Sequence, residues 1–265
     1  MKAVRLKTEY LFDPIGIDIQ NPRLFWNCAG GKTQTAYRIA AESGGKTVWD
    51  SGKVASSSMR AVYPEQLVSR QRVVWKVKLW DEEGKEGEWS EEASFEMGLL
   101  SPSDFSAKWI AGNYTVDPSR RYPVDCFLRR FSAENIVKAR LYSTACGIYE
   151  VKLNGQKAGS FCLAPGHTDY KKRIQYQTAD VTALLNHGEN VLTCELADGW
   201  YRGSCGAWGL LNEYGIETKL FVQLELFDRK GKVTTIVSDG SWAWSNDGPI
   251  RFADNKDGEI YDARK

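Results

Sequence analysis

Asp198, Trp200, Tyr201, Arg202 and Trp208 fall within one short stretch, spaced by Gly199, Gly203, Gly206 and Gly209. A carboxylate and a guanidinium among broad aromatic rings on glycine-rich turns is a composition suited to holding a sugar. The rings cover the apolar face of a pyranose, and the charged groups take its hydroxyls. Upstream, Glu150 and Asn154 add a carboxylate and an amide. With Asp198 they offer hard oxygens of the kind that calcium collects, six to eight at a time. The candidate carbohydrate-binding set is therefore Asp198, Trp200, Tyr201, Arg202, Trp208 and Asn154, and the candidate metal ligands are Asp198 and Glu150.

Each of these residues has a structural alternative. Asp198 could cap the turn at Gly199 or pair with Arg202. Trp200 and Tyr201 could plug a core. Asn154 precedes Gly155, the signature of a tight hairpin, and Glu150 could be only the outward residue of a strand. His167, alone in Pro165-Gly166-His167, suits a loop hydrogen bond better than catalysis. Asp254, Asp257 and Glu259 cluster around Gly258 and read as a solvated charged turn. Glycoside hydrolysis needs two carboxylates across one bond at a set separation, which no sequence spacing establishes here. No catalytic residue is assigned.

The elements that would position these residues are strands. Tyr149, Val151 and Leu153 alternate with Glu150 and Lys152, and Asn154-Gly155 then turns the chain. Val191 to Leu196 alternates again, puts Leu192, Cys194 and Leu196 on one face, and empties into Asp198. Leu220, Val222, Leu224 and Leu226 share a face of a long strand. Further strands are expected at 107–110, 127–131, 140–145, 161–163, 233–237 and 242–244. Residues 111–125 read as an exposed loop, and 180–185 as a helical turn capped by Asp180 and stopped at Gly188. Before residue 100, strands are expected around Leu24-Phe25-Trp26, 34–40, 48–54, 73–80 and 93–97. Short strands with turns between them argue for a small β-sandwich over 1–100 and a jelly-roll sandwich over 101–265.

Length and composition agree with two domains. Lys plus Arg number 35 against 34 Asp plus Glu, a net charge of +1, which gives no footprint for nucleic acid or an anionic membrane. No stretch is apolar for long enough to span a bilayer. Ten tryptophans suit a β core and sugar stacking alike. The six cysteines form no CxxC pair, so reduced thiols are expected, and no apolar run follows Lys2, Arg5 and Lys7. A cytoplasmic location follows from both.

The first hundred residues resemble the leading fibronectin-type-III-like domain of bacterial α-L-rhamnosidases. The likeness rests on Gln34-Thr35-Ala36-Tyr37-Arg38-Ile39, Trp49-Asp50-Ser51-Gly52-Lys53-Val54, Trp75-Lys76-Val77-Lys78-Leu79-Trp80-Asp81 and Trp89-Ser90. Leu163-Ala164-Pro165-Gly166-His167-Thr168-Asp169-Tyr170, Asp198-Gly199-Trp200-Tyr201-Arg202-Gly203 and Asp257-Gly258-Glu259-Ile260-Tyr261-Asp262-Ala263-Arg264 are similar to the jelly-roll, galactose-binding-like domain that follows in those enzymes. His167 stands where Trp is frequent, and Asp198 where Asn is also common. The resemblance implies an all-β accessory region of an inverting glycosidase acting on terminal α-L-rhamnose. Its catalytic acids lie in an α-helical toroid that has no counterpart here. The expected partners are then a rhamnose-containing glycan and the C-terminal catalytic domain, with no required cofactor. The alternative is a free-standing module that binds rhamnose with the help of calcium and does no hydrolysis.

Overall fold

In the strand Arg72–Trp80 the residues Val73, Trp75, Val77 and Leu79 fall on one face, and a computed structural model of all 265 residues buries every one of them. This strand is the middle of a sheet. Ala36–Ser43 and Ala93–Met97 flank it antiparallel, Lys46–Asp50 lies beyond the first, and Ile15–Ile17 runs parallel to the second. A second sheet orders Lys2–Thr8, Arg23–Ala29 and Arg60–Val62. Leu24 and Trp26 from this sheet share one core with Ile39, Trp75 and Phe95 from the other. The result is a β-sandwich, and the first unit runs from Met1 to Phe105.

The second unit, Ser106–Lys265, is built on the same principle. One sheet orders Gln156–Lys157, Ile148–Leu153, Gly188–Ala197, Asp125–Ala133 and Ala243–Ser245. The other orders Gln177–Asp180, Ile136–Cys146, Lys219–Asp228 and Val233–Val237. Leu192, Cys194 and Leu196 point inward, as do Leu220, Val222, Leu224 and Leu226, and all are at most 1% exposed. Each such aliphatic side chain contributes about 1.5–3 kcal/mol by leaving water. Asn154 and Gly155 take φ of 54° and 80° in the hairpin after Ile148–Leu153, the left-handed pair that a two-residue turn requires. A separate hairpin, Ile250–Asp254 with Gly258–Tyr261, closes the chain. No helix is long and apolar enough to cross a membrane.

Several local expectations change. Residues 161–163 form no strand: Leu163 takes φ of 54°, and a turn from Gly166 N to Leu163 O bends the chain there. At 107–110 only Ile110 pairs, exchanging two backbone bonds with Leu220. The exposed loop ends early, because Val124 is 4% exposed and Asp125, wholly buried, already begins a strand. The helical turn shrinks to the 3-10 segment Thr182–Leu184, with Asp180 Oδ1 accepting from Thr182 N at 3.0 Å.

Candidate functional site

The strand Gly188–Ala197 ends where Asp198 enters a single helical turn, Gly199–Arg202. Gly199 has φ of +53°, and a β-carbon there would lie 2.4 Å from Ile148 Cγ1, so only glycine fits. The turn sets Asp198 and Arg202 four residues apart on one face. Arg202 Nε and Nη2 both donate to Asp198 Oδ1, at 2.7 and 2.6 Å, and both side chains are buried. Arg202 Nη1 donates to the Tyr114 hydroxyl at 3.0 Å, and its guanidinium sits 5.3 Å from the centre of the Tyr122 ring. Tyr114 in turn donates to Asp125 Oδ2 at 3.3 Å. Thr218 Oγ1 and Trp244 Nε1 complete the shell of Asp125, at 3.1 and 3.0 Å.

Two buried carboxylates thus share one buried cation. Burial pushes both carboxyls above their ordinary values, against the opposing pull of Arg202 and of the hydrogen bonds they accept. For Asp125 the folded chain therefore holds its proton to higher pH than the unfolded value of 3.8. Its contribution to stability is full below that value and is lost as pH rises through the raised one. Asp125→Asn removes this loss. The difference in melting temperature between variant and wild type should shift in the variant's favour as pH rises from about 4. Melts across a pH series check this, and a constant difference would contradict it.

Gly203 ends the turn against the closing hairpin. A β-carbon on it would lie 1.9 Å from Asp254 Oδ2 and 2.4 Å from Gly199 O. Asp254 Oδ2 accepts from Ser204 N at 2.6 Å, and its Oδ1 accepts from the backbone of Lys256 and Asp257. Asp257 Oδ2 accepts from Ser204 Oγ and from Arg121, each at 2.5 Å. Asp254 is 7% exposed, so it clamps the 199–204 segment from inside, while Asp257 and Glu259 stand on the exposed turn around Gly258. Gly203→Ala should cost about 1–3 kcal/mol, because backbone and a bonded carboxylate must both yield. Denaturant unfolding of the second unit measures it, and an unchanged midpoint would refute the close approach.

The aromatic residues divide. Tyr201 packs inward: a β-carbon on Gly215 would meet its hydroxyl at 2.4 Å, and Tyr170 lies 5.5 Å away in an edge contact. Burial pushes the phenols of Tyr170 and Tyr201 up to about 12. Trp200 is half-buried and stacks on exposed His167 at 5.5 Å and 16°, with Tyr214 6.3 Å from His167 on its edge. Trp208 stands apart in the following loop, 90% exposed.

The residues singled out by sequence are therefore not one site. Asp198 and Arg202 are spent on each other. Asn154 spends its amide inside the fold, donating from Nδ2 to Leu184 O and Asn190 Oδ1 and accepting from Val191 N at Oδ1. Glu150 sits mid-strand opposite Glu195 and pairs with Lys157 at 2.7 Å and Lys152 at 3.6 Å, which hold its carboxyl below the usual range. Asp198 and Glu150 do not fit a calcium site. Their charges are already matched by Arg202 and the two lysines, and no three His, Cys, Asp or Glu side chains converge. The six cysteines are free thiols. Sequence reading missed Tyr114, Tyr122, Asp125, Thr218 and Trp244. Tyr114 and Asp125 lie 11 residues apart, but the bonds that tie them to Arg202, Thr218 and Trp244 span 88 to 119 residues, so no spacing announces the group.

Residues 3–101 match the family described as Rha78A-like, N-terminal immunoglobulin domain, and residues 134–265 match the Alpha-L-rhamnosidase N-terminal domain. An α-L-rhamnosidase of Formosa agariphila is 37% identical over 95% of this chain, which covers 29% of that protein. One of Streptomyces avermitilis is 27% identical over the whole chain, which covers 43% of it. The crystal structure of the Aspergillus terreus α-L-rhamnosidase superposes with a TM-score of 0.92 at 32% identity, over 99% of this chain and 31% of that one. The Streptomyces avermitilis enzyme complexed with L-rhamnose shares the fold, with a TM-score of 0.91 at 24% identity. The chain spans less than half the length of each of these relatives.

Proposed function

Because the chain is the N-terminal portion of an α-L-rhamnosidase-family protein, we propose that it gives non-catalytic support to a glycosidase that removes terminal α-L-rhamnose. Its partner in this reading is the catalytic portion of the same polypeptide, and the inverting chemistry expected of the family resides there. The observation that carries the reading is the commitment of the candidate carboxylates to the fold. Asp125, Asp198, Asp254 and Asp257 each bond to backbone, hydroxyl or cation partners inside the second unit. The buried three, Asp125, Asp198 and Asp254, are thereby taken up by the fold and not held across an open cleft as glycoside hydrolysis requires. Six unpaired thiols suit a reducing compartment, and we place the protein in the cytoplasm on that account.

Deleting residues 1–265 from the parent polypeptide should abolish soluble, active rhamnosidase, and supplying 1–265 in trans should restore part of it. Full activity of the deleted protein would refute the supporting role. Rhamnose recognition by this chain itself would use Trp200, His167 and Tyr214, the ring cluster nearest to solvent. Calorimetric titration of 1–265 with L-rhamnose, with calcium and then with chelator, tests that separately.

A further inference from the structure

Trp208 is 90% exposed, and Leu210 and Leu211 beside it are 56% and 46% exposed. Large apolar side chains grouped on a surface mark a place that something else covers. The loop does not fold them inward, because it is pinned. Cys205 and Leu210 exchange both backbone hydrogen bonds, at 2.8 and 3.0 Å. Asn212 N donates to Arg202 O, and Asn212 Nδ2 donates to Pro118 O. Lys256 Nζ donates to Gly206 O at 2.6 Å.

Lys256 is in the tip of the closing hairpin, whose last strand, Gly258–Tyr261, carries Ile260 and Tyr261, 59% and 62% exposed. That strand, about 13 Å long at ~3.3 Å per residue, leads from the foot of the loop toward the end of the matched N-terminal domain. More than half of each relative's length lies outside the region this chain covers. Where the N-terminal family ends, one hairpin length from the loop, that remainder is tethered at high effective concentration, so a small apolar face is enough to hold it.

We propose that Trp208, Leu210 and Leu211, with Ile260 and Tyr261 on the adjoining hairpin, are the face on which the catalytic portion of the parent polypeptide docks. The inference rests on the supporting role given above and names the surface that performs it. Hydrogen exchange compares the isolated chain 1–265 with the parent polypeptide. Amides of residues 204–216 should exchange about tenfold more slowly in the parent. Trp208→Asp with Leu210→Asp should return them to the isolated rate in the parent, yet leave the melting temperature of isolated 1–265 unchanged, since both side chains face solvent. Slowed exchange elsewhere in the second unit, but not at 204–216, would overturn this surface and leave the supporting role standing. No slowing anywhere in 1–265 would overturn both. Concentration-dependent dimers of isolated 1–265 that the double variant abolishes would give the face to a second copy of the chain, and the proposal would fail.

Discussion

Arg202→Ala should destabilise the second unit by about 3–5 kcal/mol, the usual cost of stranding one member of a buried ion pair. The change leaves Asp198 buried without a cation and takes a donor from Tyr114, whose hydroxyl links the pair to Asp125. Arg202→Lys should recover only part of the loss, because a single ammonium cannot reproduce the fork of Nε, Nη1 and Nη2 bonds. The double change Asp198→Leu with Arg202→Met should be far milder than either single truncation, since no charge is then left unpaired. Denaturant midpoints at unchanged slope measure all three. A loss below about 1 kcal/mol for Arg202→Ala would mean that the pair behaves as a solvated surface bridge.

Trp75→Ala should cost the first unit about 3–5 kcal/mol. Trp75 is 1% exposed on the central strand, and its cross-strand neighbours on both sides are Ala41 and Ala93. Two small residues flank one large one, so truncating the indole opens a void that nothing adjacent can fill. Trp75→Phe should cost less than about 1.5 kcal/mol, because the indole Nε1 has no hydrogen-bond partner in the protein to lose. Exchange protection across Arg72–Trp80 reads both variants. Equal losses for Ala and Phe would point to a hidden role for the indole nitrogen rather than to volume.

The sandwiches were legible because their strands advertise themselves with period two. Val73 to Leu79 and Leu192 to Leu196 alternate over enough residues to exclude a helix, and Asn154-Gly155 names its own turn. The family resemblance was equally legible, since its motifs recur in order along the chain and both matched families agree with it. The residues 161–163 were misread because three apolar-flavoured positions do not make a strand when Leu163 turns the backbone. The roles of the Asp198–Gly203 segment lay beyond sequence for a different reason. Its composition suits a sugar site or a structural knot equally well, and only the arrival of Tyr114, Asp125 and Asp254 from distant positions decides for the knot. Trp200 and Trp208 show the same ambiguity from the other side: neighbours in sequence, one stacks on His167 and the other stands in solvent.

The most direct measurement is a rhamnosidase assay of purified 1–265 on an aryl α-L-rhamnoside, over a range of pH. Carboxylates locked into internal bonds predict no release of the aryl alcohol above the rate in buffer. Sustained turnover by the chain on its own, reproducible across preparations and lost with Asp254→Asn or Asp257→Asn, would place bond cleavage in these sandwiches and contradict the account.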